Sequence, residues 1–336
     1  MKKKIRKLLI ASSHLAFIFV FVWFFLSAFT HGRFLWVSIV NMFAFYTFGF
    51  LIPFALIGIF YNVRRLQLMS LVALGLFLFT FGKFFIPKQN SIASSPDVLR
   101  VMTYNMLVYT PDVSLVADVI DEENADIVLM QETSFEMADF LRQEMKVAYP
   151  YQTHFPSDIP AGLSVISKYP FEVIDYDLGD FWVGTPILLD VDWNGQMIHI
   201  ANFHMDPTSF EVISTPNRAY EVAEMRKEHA SRLVEFLQIH PGPAILAGDA
   251  NDVSLNDPYF LLINAGLQDT WTEAGFGLGN TFPGRKKIGS VYVPEWLVRI
   301  DYIFVTSEWE VLSASLAGTE GGSDHRAVIA ILRLRK

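Results

Sequence analysis

Three long apolar runs, at roughly 8–30, 34–61 and 68–87, fill the first 88 residues and are separated only by His31-Gly32-Arg33 and Asn62-Val63-Arg64-Arg65. A helix rises 1.5 Å per residue, so about 20 apolar residues cross a hydrocarbon layer of about 30 Å. Each run is long enough, and the pattern predicts three transmembrane helices. The basic start, Met1-Lys2-Lys3-Lys4-Ile5-Arg6-Lys7, suits a secretory signal. However, the first run exceeds a signal's apolar region, and two further runs follow it directly. Pro53 is expected to kink the second helix, which membrane helices tolerate, and Lys83 to snorkel to the nearby interface. Five basic residues precede the first run, Arg64 and Arg65 lie in the second break, and Arg33 stands alone in the first. By the positive-inside bias, the N-terminus and second loop are cytoplasmic. Three crossings then place everything beyond residue 88 outside the cytoplasm, at the cell exterior, in the periplasm or in an organelle lumen.

Charge divides the chain at the same point. Residues 1–88 hold ten of the 26 Lys and Arg and none of the 35 Asp and Glu, so the remainder carries a formal charge of −19. That balance disfavours sequence-independent binding to nucleic acid, which relies on cations facing phosphates, and it suits a site that collects divalent cations. The chain has no Cys, which excludes disulfides, thiolate metal sites and Cys nucleophiles. A Ser-rich polar stretch reads as a linker. The expected organisation is a membrane anchor at 1–88, a linker at 89–98 and a catalytic domain at 99–336.

From residue 99 short apolar runs alternate with amphipathic segments. Strands are expected at 99–104, 127–130, 163–166, 187–191, 197–203, 244–247, 300–305 and 327–332. Helices are expected at 112–123, 134–145 and 217–238. Alternation of this kind implies an α/β domain with helix-covered sheets.

Polar residues recur beside these strands. Asn105 follows the first, and Gln131-Glu132 follow the second. Asn202 and His204 close Ala201-Asn202-Phe203-His204, and Asp249 and Asn251 follow Ile245-Leu246-Ala247-Gly248. Asp301 sits in Arg299-Ile300-Asp301-Tyr302, and Asp324 and His325 precede the last strand. Strand ends let distant segments converge on one pocket. Carboxylates for a hard cation, amides to orient ligands and two imidazoles make up the inventory of metal-assisted phosphoryl hydrolysis. No Gly-x-Ser-x-Gly elbow or Walker loop is present, and Gly275-Phe276-Gly277-Leu278-Gly279 reads as a flexible loop.

Taken together, Val101-Met102-Thr103-Tyr104-Asn105, Gln131-Glu132, Asn202-Phe203-His204, Gly248-Asp249-Ala250-Asn251-Asp252, Arg299-Ile300-Asp301-Tyr302 and Ser323-Asp324-His325 resemble the endonuclease/exonuclease/phosphatase superfamily. That superfamily includes deoxyribonuclease-like nucleases, inositol polyphosphate phosphatases and neutral sphingomyelinases. The resemblance covers about 99–335. It implies a four-layer α/β sandwich, two packed mixed sheets flanked by helices, with a site for Mg²⁺ or Mn²⁺ at one end. It further implies that Glu132 is the principal metal carboxylate with Asn105 beside it, and that Asp324 lies near the metal or the water. His325, paired with Asp301, resembles the general base. Asp249 would position or activate water, while Asn251 and His204 would hold phosphoryl oxygens. Whether Asp249 or His325 is the base stays open. One departure is visible: where many members carry Gln three residues beyond an Arg, this chain has His229 after Arg226, expected on a solvated helix face.

A phosphoesterase acting on membrane lipids or another envelope substrate is the leading expectation. Phe181-Trp182-Val183 and the Tyr- and Trp-bearing 291–297 segment are candidates to face a membrane, against the plainer reading of core or loop aromatics. Arg285-Lys286-Lys287 is a candidate grip for an anionic headgroup, or a solvated turn. An extracytoplasmic nuclease is the alternative, disfavoured by the acidic domain, and a non-catalytic membrane-binding protein is the third. No protein partner is inferable.

Overall fold

The computed structural model describes residues 2–88, 97–110, 112–180, 182–207, 214–284, 287, 288 and 291–335. Two compact units emerge: Met1–Ile86 with Leu255–Asp257, and Pro87–Ser254 with Pro258–Lys336. Most of the expected linker falls outside the described residues.

The first unit is helical. Helix α1 spans Lys2–Thr30, α2 Leu35–Met42, α3 Ala44–Gly49, α4 Ile52–Phe60 and α5 Arg64–Phe81, with a 3₁₀ turn over Gly82–Phe85. Two helical stretches, Lys3–Thr30 and Arg64–Phe85, are long and apolar enough to cross a membrane. The second apolar run differs from expectation. It is broken, with α2 and the stretch Ala44–Phe60 meeting at 81°, so the unit has two such helices, or three if the bent pair counts as one span. The bend falls at Phe43, whose φ of −112° and ψ of 22° are not helical, and not at Pro53. That proline sits in the first turn of α4, where its missing N–H costs nothing. Buried Asn41 near the end of α2 accepts hydrogen bonds from Trp23 Nε1 (3.0 Å) and Ser27 Oγ (2.8 Å) of α1, a polar tie that holds α2 against α1.

The second unit has strands β1 (Leu99–Asn105), β2 (Ile127–Gln131), β3 (Tyr151–Phe155), β4 (Leu163–Ser167), β5 (Phe171–Val173), β6 (Ile187–Trp193), β7 (Gln196–His204), β8 (Ala244–Asp249), β9 (Gln268–Asp269), β10 (Lys287–Ile288), β11 (Val291–Tyr292), β12 (Asp301–Val305), β13 (Trp309–Leu316) and β14 (Val328–Leu334). They build two six-stranded sheets, ordered β13-β14-β1-β2-β4-β3 and β5-β6-β7-β8-β12-β9, with β10-β11 as a small hairpin. Each sheet is mixed: β1 and β2 run parallel, as do β7 and β8, among antiparallel neighbours.

Side chains alternate across a strand, and here every second residue enters a shared core. Leu99, Val101, Ile127 and Leu129 of one sheet pack with Ile198, Ile200, Ile245, Ala247, Ile303 and Val305 of the other. The outer faces are apolar too, which is why these strands read as continuous hydrophobic runs. Met102, Val128 and Met130 meet Val116 and Ile120 of α6 (Val113–Glu123) and Met137 and Leu141 of α7 (Phe135–Glu144). Phe203, Leu246 and Phe304 meet Leu233 and Phe236 of α8 (Pro216–Ile239) and Leu262 of α9 (Asp257–Asn264). A short α10 covers Thr270–Ala274. Helix, sheet, sheet, helix is the expected four-layer sandwich.

Candidate active site

The inward-facing stripe changes character toward one end of the sandwich. In β1 it reads Leu99, Val101, Thr103, Asn105; in β2, Ile127, Leu129, Gln131; in β7, Ile198, Ile200, Asn202, His204; in β8, Ile245, Ala247, Asp249. Parallel register sets Asn105 opposite Gln131 and His204 opposite Asp249. Strand β12 runs antiparallel to β8, so its first residue, Asp301, pairs with Asp249. Period-2 geometry thus delivers polar side chains from both sheets to the same end.

A buried amide layer separates this end from the apolar core. Gln131 Nε2 donates to Asn202 Oδ1 (2.7 Å) and Thr103 Oγ1 (3.1 Å). Asn202 Nδ2 donates to the Met130 and Ser164 carbonyls, both at 3.0 Å. Each buried polar group here finds partners, as it must, and the bonds tie one sheet to the other.

Above this layer stands Asp249, 1% exposed. Its Oδ1 accepts from the Asn251 backbone N–H at 2.8 Å. Its Oδ2 accepts from Asn105 Nδ2 at 3.1 Å and lies 3.6 Å from His204 Nε2 and 3.8 Å from His325 Nε2. Asn105 Nδ2 also donates to Glu132 Oε1 (3.1 Å), and Glu132 Oε2 accepts from the Val108 N–H (3.1 Å). His325 Nδ1 bonds Asp301 Oδ2 at 2.9 Å, and Asp324 Oδ1 lies 4.0 Å from His325 Nε2. Asn251 Nδ2 donates to the Met205 carbonyl at 2.9 Å. Asn105, His204, Asp249, Asp301 and His325 are buried, while Glu132, Asn251 and Asp324 are half-buried. Glu132 and Asn251 each adopt left-handed φ, +59° and +50°. That conformation is uncommon for residues with a side chain and tends to cluster at functional sites.

The charges have identifiable causes. Burial raises the Asp249 carboxyl well above the usual range and the Asp301 charge adds to this, while His325, the Asn251 N–H and Asn105 pull the other way. Burial alone would lower His325, but Asp301, through charge and hydrogen bond, then Asp249 and Asp324 reverse this and hold the ring charged. Burial and the His325 charge push His204 down to about 3 against a pull from the Pro160 carbonyl, so this ring is neutral.

Asp249, Asp301 and His325 can each bring one ligand atom within 4.8 Å of the others. Asp301 Oδ1 is buried with no hydrogen-bond partner among the described residues. The carboxylates of Glu132 and Asp249, which share the Asn105 amide, add an oxygen-rich donor set of the kind that fits a hard divalent ion. Asp301 and His325 are engaged with each other, which leaves the oxygen-rich side formed by Glu132, Asn105 and Asp249 open to an ion. There the Asn105 NH₂ group bridges the two carboxylates, and ligation through Asn105 Oδ1, now accepting from the Leu107 N–H (3.1 Å), requires the amide to turn over.

Several supporting residues have no role that the sequence alone assigns. Ser323 Oγ donates to the Asn105 carbonyl (2.7 Å) and accepts from the His325 N–H (3.0 Å). The Phe282 ring centroid lies 4.8 Å from that of His325. Arg226, 3% exposed, reaches the Asn251 carbonyl and lies 3.4 Å from Asp252 Oδ2. His229 is not on a solvated face: it is 1% exposed and stacks on Trp182 with centroids 3.9 Å apart. Phe181, Arg285 and Lys286 lie outside the described residues.

The model of the endonuclease/exonuclease/phosphatase family matches residues 102–325. No curated protein matches the chain. Among solved structures, an endonuclease/exonuclease/phosphatase from Beutenbergia cavernae DSM 12333 is 23% identical, with 71% of this chain and 72% of that one covered and a TM-score of 0.52. A functionally unknown conserved protein from Enterococcus faecalis V583 is 19% identical, covering 70% and 100%, with a TM-score of 0.53. D. rerio TDP2 complexed with a single strand DNA product is 15% identical, covering 70% and 99%, with a TM-score of 0.54. At such identities the structural likeness speaks for the fold.

Proposed function

Because this chain belongs to the endonuclease/exonuclease/phosphatase family over residues 102–325, we propose that it is a membrane-anchored hydrolase that cleaves a phosphoester of a lipid or other envelope molecule with the help of Mg²⁺ or Mn²⁺. The observation that carries the chemistry is the ring of Asn105, His204, His325 and Asn251 around the buried carboxylate of Asp249. Glu132 and Asn105, with Asp324 nearby, would hold the cation. When bound, the ion polarises a phosphoryl oxygen and offsets its developing charge.

The chain's own groups divide the remaining work. In its ionised form Asp249 Oδ2, made a stronger base by its burial, would accept the proton of the attacking water. Asp301 orients His325 and keeps it charged, so that Nε2 faces the site as a cation and donor. Neutral His204 and the second amide N–H of Asn251 face the phosphoryl oxygens. Phosphoryl transfer asks a protein mainly for such positioning and charge neutralisation.

A lipid or envelope substrate is favoured by the long apolar helices together with the −19 balance after residue 88. The nuclease alternative draws on the fold shared with a TDP2 structure holding a DNA product. Full chain assayed with Mg²⁺, with Mn²⁺ and with chelator should hydrolyse a phospholipid or a soluble phosphodiester faster than plasmid DNA. An Asp249→Ala, His325→Ala double variant should do neither. Faster DNA cleavage would overturn the substrate reading, and no turnover of any phosphoester by folded, metal-supplied protein would overturn the hydrolase itself.

A further inference from the structure

The helical unit contains a cleft of about 610 Å³ between α1, α3, α4 and α5. Its floor is buried and apolar: Phe17, Phe48, Leu51 and Ala73 are each at most 6% exposed. Phe48 and Phe77 meet edge to face on this floor, with centroids 5.8 Å apart. The rim residues Ile52, Ile59, Leu71 and Leu74 are all more than half exposed, so the cleft opens at the outer surface of the unit. No charged residue lines it, and Gln67 and Ser70 are its polar members. The wall contributed by α5 runs from Gln67 to Phe77, about 15 Å at the helical rise per residue.

Two features make this more than a gap in packing. The volume lies within the range of small-molecule sites, which are mostly apolar with a few polar groups. The cleft is also lined where the helix is interrupted, at Gly49, Leu51 and Ile52 between α3 and α4. Pro53 has no N–H to give the Gly49 carbonyl. Interrupted backbone at membrane depth is tolerated where it is packed in protein or lines a cavity, and it marks binding sites in other membrane proteins.

We propose that this cleft binds one hydrocarbon chain of a phospholipid, a site separate from the hydrolytic centre. The walls exclude a polar or charged occupant, and the length suits the extended run of a hydrocarbon chain. Gly49 supplies the means of testing this. A Cβ built there meets nothing within 4 Å, so a larger side chain enters open space. Gly75, equally uncrowded, is not part of the lining and serves as the control.

Full chain would be delipidated in detergent, incubated with dioleoyl phosphatidylcholine and weighed by native mass spectrometry. Wild type and Gly75→Phe should each retain one phospholipid at concentrations where Gly49→Phe retains at least tenfold less. Palmitate should compete for the site, and glycerophosphocholine, the headgroup without chains, should not. If Gly49→Phe fails to fold, Ala55→Leu, a smaller filling of the same lining, gives the reading. Equal retention by the filled and wild-type proteins, equal loss in Gly75→Phe, or competition by the headgroup alone would each overturn the proposal.

Discussion

At the scale of single residues, the pairing of His325 with Asp301 makes the sharpest claim. Asp301→Asn keeps a group of the same size beside Nδ1 but removes the anion that outweighs the ring's burial. The His325 pKa should therefore fall, readable in the metal-free protein by titrating its ring protons by NMR. kcat should drop roughly 10²–10⁴-fold with a much smaller change in KM; an unchanged titration would show that Asp301 does not set the ring's charge. A second buried pair lies close by. Arg299 donates to both oxygens of Asp269 at 2.9 and 2.7 Å. Burial raises the Asp269 carboxyl, but Arg299, Thr272 and Tyr259 bring it below its ordinary value. A carboxyl depressed in the folded state contributes stability above its unfolded pKa, about 3.9, and loses it as pH falls through the folded value. Removing one partner leaves a buried charge. Asp269→Asn should thus cost about 3–5 kcal/mol at neutral pH and flatten the loss of Tm below about pH 4. A variant with the wild-type acid profile would contradict the assignment.

At the scale of elements, the sandwich depends on how closely β7 and β8 approach. A Cβ at Gly248 would lie 1.9 Å from the Phe203 carbonyl oxygen, in the register that sets Phe203 beside Gly248 and His204 beside Asp249. Gly248→Ala should destabilise by at least the roughly 1–3 kcal/mol of overpacking and lower kcat, because Asp249 is the next residue. Gly318→Ala, which meets open space, should change neither in denaturation or kinetics. The central strands were legible in the sequence because both of their faces are buried, so each appears as an apolar run bounded by polar residues. Strand β3 was not: Tyr151 and Phe155 are exposed and Gln152, Thr153 and His154 half-buried, a pattern with no apolar run to find. Strand β13 was missed as well, its polar Ser313 and Ser315 and the register shift near Val311 masking the alternation. Asn105, Asp249 and Asp301 stood out as polar residues beside apolar strands. The hydrogen bond from Gln131 to Asn202 crosses 71 positions and leaves no periodic trace. His229 is hidden by Trp182, which comes from a distant loop, so the 3.6-residue pattern of α8 carried no sign of it. The break at Phe43 likewise lies beside Asn41, whose hydrogen bonds to α1 leave no trace in the hydropathy pattern, whereas Pro53 is conspicuous only as a residue type.

At the scale of the whole molecule, charge and hydropathy make a claim about sides. The positive-inside bias predicts a cytoplasmic side for the basic start of α1 and for Arg64 and Arg65. If the bent pair of α2 with α3–α4 is one crossing, the chain crosses three times and its hydrolytic domain is extracytoplasmic. If that pair enters and leaves on one side, α1 and α5 are the only crossings among the described residues, Arg64 and Arg65 lie outside against that bias, and the domain returns to the cytoplasm. The distinction decides which substrates the enzyme meets, because an extracytoplasmic site sees outer-leaflet lipid and envelope phosphoesters while a cytoplasmic one sees nucleotides and nucleic acid. The absence of Cys makes the question directly measurable, since one introduced thiol has no background in the chain. Val147 is 96% exposed and Lys4 is exposed, so neither Val147→Cys nor Lys4→Cys should disturb packing. Three crossings predict that a membrane-impermeant maleimide labels Val147→Cys on intact cells or sealed, correctly oriented vesicles, and reaches Lys4→Cys only after permeabilisation. Labelling of both positions only after permeabilisation would establish two crossings, return the domain to the cytoplasm and remove the envelope substrate from the functional reading.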